Sequence, residues 1–217
     1  MSAASRVSLF PDRPLNRARG HVRSRRAALF TAAVAASALA LTACTSGGTS
    51  GGSGDTNFVT GTDGVIATVP QGERVAAPDL SGPTIDGKQL DVADYKGKIV
   101  VINVWGSWCG PCRLEAKNFV AVSADLKDQG VQFVGINTRD GETRPAVAFE
   151  KQYGVTYPSL YDPTGKLMLR FQKGTLNPKA IPSTLVLDRQ GRIAARSLQA
   201  LSEDNLRKML KPVLAEK

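Results

Sequence analysis

Residues Ile99-Val100-Val101-Ile102-Asn103-Val104-Trp105 are apolar at every position but one, and the chain then runs through Gly106-Ser107-Trp108 into Cys109-Gly110-Pro111-Cys112. A strand that is apolar at both alternating positions is covered on both faces, so this one is expected to be central and parallel in its sheet. Covering both faces calls for further layers, which narrows the fold to the α/β class. Residues 111–128 follow with Phe119, Val122 and Leu126 at helical spacings of three and four, and Gly130 is a stop signal. The two cysteines therefore fall at a strand-to-helix junction.

The remaining pattern extends the same plan. Val131–Ile136 reads as a second buried strand and residues 143–153 as a second helix. Thr184–Leu187 reads as a strand, Asp188-Arg189-Gln190-Gly191 as a turn, and Arg192–Leu198 as its hairpin partner. Ser202 is placed to cap a last helix whose Leu206, Met209, Leu210 and Val213 face inward. Upstream, Asp86-Gly87 lies between short β-like runs in Thr84–Leu90, the mark of a two-residue hairpin. Tyr157-Pro158 and Asp162-Pro163-Thr164-Gly165 read as loop and turn. The expectation is one domain over residues 76–217, with a mixed central sheet, helices on both faces and an N-terminal β-hairpin.

The formal charge of the 217-residue chain is +9, which invites a nucleic-acid reading. Seven of its 28 basic residues and one of its 19 acidic ones lie in residues 1–43, leaving 21 against 18 beyond that point. The basicity belongs to the N-terminal segment, and no nucleic-acid partner is expected. There, Arg23-Ser24-Arg25-Arg26 precedes an apolar, alanine-rich run of about 17 residues, the form of an export signal and marginal as a permanent span. An uncleaved membrane anchor is the alternative. Leu41-Thr42-Ala43-Cys44 resembles the bacterial lipobox, in which the cysteine becomes the lipid-modified N-terminus. Residues 1–43 are thus expected to be a lipoprotein signal peptide. Residues 44–75 would be the lipidated Cys44 and a flexible Gly/Ser-rich tether.

The only histidine, His21, lies in the leader. Ser–His and Cys–His catalysis and His-ligated metal sites are thereby removed from the folded part. Cysteines three apart on a first helical turn share one face, within disulfide reach. The leading one sits where unpaired backbone N–H groups and the helix dipole favour the reactive thiolate. Pro111 suits that turn, which needs no N–H donor there. Cys109 is therefore expected to be an exposed nucleophile and Cys112 the resolving thiol, with no metal or other cofactor. Half of a zinc site, a static disulfide and unpaired core thiols are the competing readings. A static bridge over so short a loop would stabilise little.

Trp108-Cys109-Gly110-Pro111-Cys112 after a buried strand resembles the active site of the thioredoxin fold. Together with the lipobox, the hairpin and Lys96–Trp105, the chain resembles the TlpA/ResA group of membrane-tethered thiol–disulfide oxidoreductases over roughly residues 78–215. The resemblance implies a thioredoxin-like fold and a cis-proline loop at Ile181-Pro182-Ser183-Thr184 facing the cysteines. It also implies a proton-transfer role for Glu115 near Cys112, and substrate contact at Trp108, Gly110, Pro111 and Ile181. Asn103 stands where thioredoxin has a buried aspartate, and Lys117 where the group often has proline. Trp105 is expected in the core, and Arg113 in solvent. The implied activity is extracytoplasmic reduction of protein disulfides such as that of apocytochrome c, with a membrane electron donor restoring the dithiol. A disulfide-forming oxidant for exported proteins is the alternative in the same class. A non-catalytic binding lipoprotein is the alternative in another.

Overall fold

The computed structural model describes residues 56–216. The leader, Cys44 and the first part of the expected tether lie outside the described residues. Nine strands run in chain order: β1 (Val59–Thr60), β2 (Ala67–Thr68), β3 (Ser81–Pro83), β4 (Gln89–Asp91), β5 (Ile99–Trp105), β6 (Val131–Thr138), β7 (Ser159–Asp162), β8 (Ser183–Leu187) and β9 (Ile193–Ser197). Four helices accompany them: α1 (Gly110–Leu126), α2 (Thr143–Tyr153), the single turn α3 (Lys166–Leu169) and α4 (Glu203–Leu214). Seven strands form one sheet in the order β1-β2-β9-β8-β5-β6-β7, while β3 and β4 pair as a separate hairpin.

β5 is buried at every position. It lies inside the sheet as expected, but it is parallel only to β6, and its other neighbour, β8, runs antiparallel. Its alternating side chains divide the core. Val100, Ile102 and Val104 pack with Leu80, Val92, Leu167 and Met168 beneath the hairpin and α3. Ile99 and Val101 pack with Phe119 and Val122 of α1 and with Leu206, Met209 and Leu210 of α4. Fully burying each such aliphatic side chain contributes about 1.5–3 kcal/mol, so this strand stabilises both layers at once.

Helix boundaries follow local chemistry. Gly130 ends the segment after α1 in a left-handed conformation, φ 74°. The Ser202 hydroxyl accepts from the Asn205 N–H and caps α4, whose Leu206, Met209, Leu210 and Val213 are buried. Helix α2 spans the interval that the periodicity marks.

Three expectations need correction. Residues 56–75 are not all tether: β1 and β2 extend the sheet by pairing onto β9. Arg74 holds this segment by reaching Asp188 at 3.2 Å and Glu216 at 2.6 Å, so ion pairs far along the chain order it. Between the Tyr157-Pro158 loop and the Asp162–Gly165 turn, where no strand was expected, the chain forms β7, the parallel neighbour of β6. Its four residues between Pro158 and Pro163 are too few to show a period. Finally, the Asp86-Gly87 hairpin exists, but its connection is longer than two residues. The Thr84 N–H donates to the Lys88 carbonyl, and the tip reaches β7 through the Ile85 N–H and the Ser159 carbonyl, 2.9 Å apart. No helix among the described residues is long and apolar enough to cross a membrane.

Candidate active site

The C-terminal ends of the parallel strands β5 and β6 open onto the start of α1, the usual place for a site in such a sheet. Cys109 is the N-cap of α1, and its Sγ accepts from the Cys112 N–H at 3.2 Å. The two cysteines are bonded to each other, with Cα atoms 5.3 Å apart. Cys109 is only 3% exposed, contrary to the expected open thiol. The pair packs among Ile85, Trp105, Ala116, Ala146 and Phe149, with Ile181 against them, and this apolar collar covers it. Gly110 and Pro111 remain exposed, so the helix's first turn is the open approach. Trp105 is core, stacked on Phe149 at 4.4 Å.

The Ile181-Pro182 peptide bond is cis. Pro182 is buried at the start of β8, and the Ile181 carbonyl oxygen lies 3.8 Å from Cys109 Sγ. In the bonded form this is a contact; once reduced, the thiol has an acceptor there. The structure thus brings Cys109, Cys112, Ile181 and Pro182 together.

Glu115 is 2% exposed. Its Oε1 accepts from Asn103 Nδ2 and its Oε2 from the Leu201 N–H, each at 2.9 Å. Burial disfavours the carboxylate more than these donors stabilise it, so its pKa is pushed up to about 7. Asn103 also approaches Thr184 Oγ1 at 3.5 Å, which links β5, β8 and α1 beneath the cysteines.

The outer wall contains residues that sequence reasoning missed. Asp140, buried just beyond β6, accepts from the Ser107 N–H at 2.9 Å, from Ser107 Oγ at 2.6 Å and from Asn137 Nδ2 at 2.6 Å. Arg113 is exposed, as expected, and in addition clamps the Ser107 carbonyl through Nε at 3.1 Å and Nη2 at 2.6 Å. These contacts secure the turn that carries Trp108, which is 47% exposed. Its indole Nε1 points to the Thr138 carbonyl at 3.4 Å, and the Arg139 guanidinium lies 4.6 Å from its ring centroid. A Cβ on Gly106 would lie 2.7 Å from Trp108 Nε1, so this glycine makes room for the indole. The available signal was position: Asn137–Asp140 is a polar run at the C-terminal end of a buried parallel strand. Among the described residues, no group of three or more His, Cys, Asp or Glu is placed to hold a metal ion.

A bonded Cys-x-x-Cys pair that caps a helix and meets a cis-proline loop, on a mixed sheet of this order, defines a thiol–disulfide oxidoreductase of thioredoxin-like fold. The redox group is the cysteine pair itself. The chain belongs to the AhpC/TSA family, whose model matches residues 74–196. It is 28% identical over 138 residues to the thiol-disulfide oxidoreductase ResA of Bacillus thuringiensis, covering 63% of this chain and 76% of that one. It is 36% identical over 151 residues to the thiol:disulfide interchange protein HelX of Rhodobacter capsulatus, covering 69% and 80%. Among solved structures, a secreted thiol-disulfide isomerase from Corynebacterium glutamicum is similar at a TM-score of 0.66 and 30% identity, over 72% of this chain and 96% of that one.

Proposed function

We propose that the protein is an extracytoplasmic, lipid-anchored reductase of protein disulfides, with the apocytochrome c disulfide as its substrate and a membrane protein as its electron donor. The observation that supports the chemistry is the Cys109–Cys112 pair capping α1 opposite the cis-Pro182 loop. In the reduced enzyme the Cys109 thiolate, favoured by the helix N-terminus, attacks one sulfur of the substrate disulfide. A Cys109–substrate S–S bond forms, the substrate S–S bond breaks, and the first substrate sulfur leaves as a thiolate that takes up a proton. Cys112, deprotonated, then attacks Cys109 Sγ and expels the second substrate thiolate, which is protonated in turn. The enzyme's two electrons now reside in the substrate dithiol, and the Cys109–Cys112 disulfide is regenerated.

Glu115 is the proton acceptor for Cys112 in this scheme, one helical turn further along α1. A carboxyl group titrating near 7 can take up and release a proton at neutral pH. Trp108, Gly110, Pro111 and Ile181 form the surface on which the substrate segment lies, and the Pro182 loop presents backbone to it. Cleavage before Cys44 and its lipidation would tether the enzyme on the outer face of the cell membrane; the description of the Corynebacterium relative as secreted accords with export.

Equilibrating the purified protein in defined thiol buffers tests the direction of electron flow. A Cys109–Cys112 potential near or below about −250 mV supports the reductase, whereas one near about −120 mV makes the protein a disulfide-forming oxidant. A pair that forms no reversible disulfide would leave a binding lipoprotein. Intact-mass analysis of membrane-extracted protein tests the anchor, since unmodified Cys44 removes it.

A further inference from the structure

Arg139 follows β6 directly and is exposed, with φ at +58°, the left-handed region that an arginine enters only when its surroundings hold it there. What holds it is visible on both sides. Asp140, the next residue, is locked by three donors from Ser107 and Asn137. On the other side, the guanidinium lies over the Trp108 ring, and that ring sits in the space left by Gly106. Among the described residues, Arg139 forms no ion pair and its guanidinium no hydrogen bond; neighbouring Glu142 is not paired with it. The cation is held over the indole ring while none of its guanidinium donors is engaged among the described residues. Stacking of this kind restrains a guanidinium without using its donors, which remain in the fork geometry that matches a carboxylate.

We propose that Arg139, seated on Trp108 beside the nucleophile, is a specificity-determining residue that recognises an acidic side chain flanking the substrate's disulfide. The proposal rests on the reading of Cys109 as the attacking group and adds the class of polypeptide that it attacks. An acidic residue one or two positions from the substrate cysteine reaches the guanidinium edge while its sulfur approaches Cys109. The resulting charge-assisted contact is made in the encounter, so it raises the second-order rate rather than the potential.

The test uses the full-length protein, reduced, with two synthetic peptides. Both carry the same Cys-Ala-Ala-Cys disulfide, flanked in one by glutamates and in the other by glutamines. The wild type is expected to reduce the glutamate peptide about five- to tenfold faster at low salt, and the preference should shrink as salt screens it. In R139Q the ratio of the two rates should fall to about one, whatever happens to the rates themselves, and R139K should lie between. If R139Q does not fold, R139N serves, because asparagine tolerates the left-handed backbone. A wild type that does not distinguish the peptides overturns the proposal. So does an R139Q that keeps the preference while slowing both peptides equally, which would leave Arg139 a packing role for Trp108. Exchange with hydroxyethyl disulfide, a small neutral substrate, separates the two layers. If the wild type fails there, Cys109 is not the attacking group; if it succeeds without a charge preference, only the role of Arg139 falls.

Discussion

The two walls of the cysteine pair each contain a buried carboxyl group, and the two are bonded differently. On the inner wall, Glu115 lies under α1 with two donors, Asn103 Nδ2 and the Leu201 N–H, and burial still pushes it up to about 7. On the outer wall, Asp140 collects three donors, two of them from Ser107, and its visible effect is to pin the turn bearing Trp108. One carboxyl is left under-stabilised as an anion and can exchange a proton near neutral pH. The other is an anchor for a surface. The two carboxyls are alike in residue class and nearly alike in depth, and they differ in the donors that the fold places around them.

The largest test asks whether the inner wall performs the chemistry at all. Cys112→Ser leaves Cys109 able to attack but unable to be released, so turnover should fall by at least about a thousandfold while a stable mixed disulfide accumulates. Intact-mass spectra of the trapped species check this, and continued turnover would move the resolving role elsewhere. Next, Asp140→Ala strands two Ser107 donors and the Asn137 amide. The expected cost is about 2–4 kcal/mol in urea denaturation. A cost under about 0.5 kcal/mol would place Asp140 among ordinary surface positions and dissolve the contrast.

Glu115 supplies the next test, through pH. Its pKa is raised in the folded state from 4.5 to about 7, so the native protein holds a proton that the unfolded chain gives up. The sign follows: this group's contribution to stability is full below about pH 4.5 and declines as pH rises towards 7. The loss across that window should be on the order of 2 kcal/mol. Glu115→Gln should flatten it, and should also remove an inflection near pH 7 from the rate of disulfide exchange. Wild-type and E115Q curves that run parallel would sink both the shifted pKa and the proton-transfer role.

The smallest effect belongs to the outer wall. Gly106→Ala puts a Cβ within 2.7 Å of Trp108 Nε1 and 3.0 Å of the Thr138 carbonyl. The indole must move, at about 1–2 kcal/mol. Its fluorescence, and any preference conferred by Arg139, should change with little effect on the redox potential. A shifted potential would mean that the two walls are coupled rather than separate.

Much of this was legible in the chain. The uninterrupted apolar strand, the helix after it and the cysteines between them are local patterns, and the structure has them where periodicity places them. Ser202 and its following apolar positions are likewise local, and α4 forms accordingly. The contact of Arg113 was not legible, because its partner, the Ser107 carbonyl, is a backbone group behind the cysteines, and nothing in composition points an arginine back at its own loop.

What the sequence alone determined is therefore the strand-to-helix junction and its dithiol, since helix periodicity, capping and Cys-x-x-Cys geometry act over three or four residues. Only the tertiary structure decided the character of the two carboxylates. Glu115 meets Leu201, 86 positions away, and Asp140 meets Ser107, 33 positions away. Desolvation and hydrogen-bond partners are properties of a folded neighbourhood, so Glu115 acquires its raised pKa, and Asp140 its three donors, only when distant segments close around them.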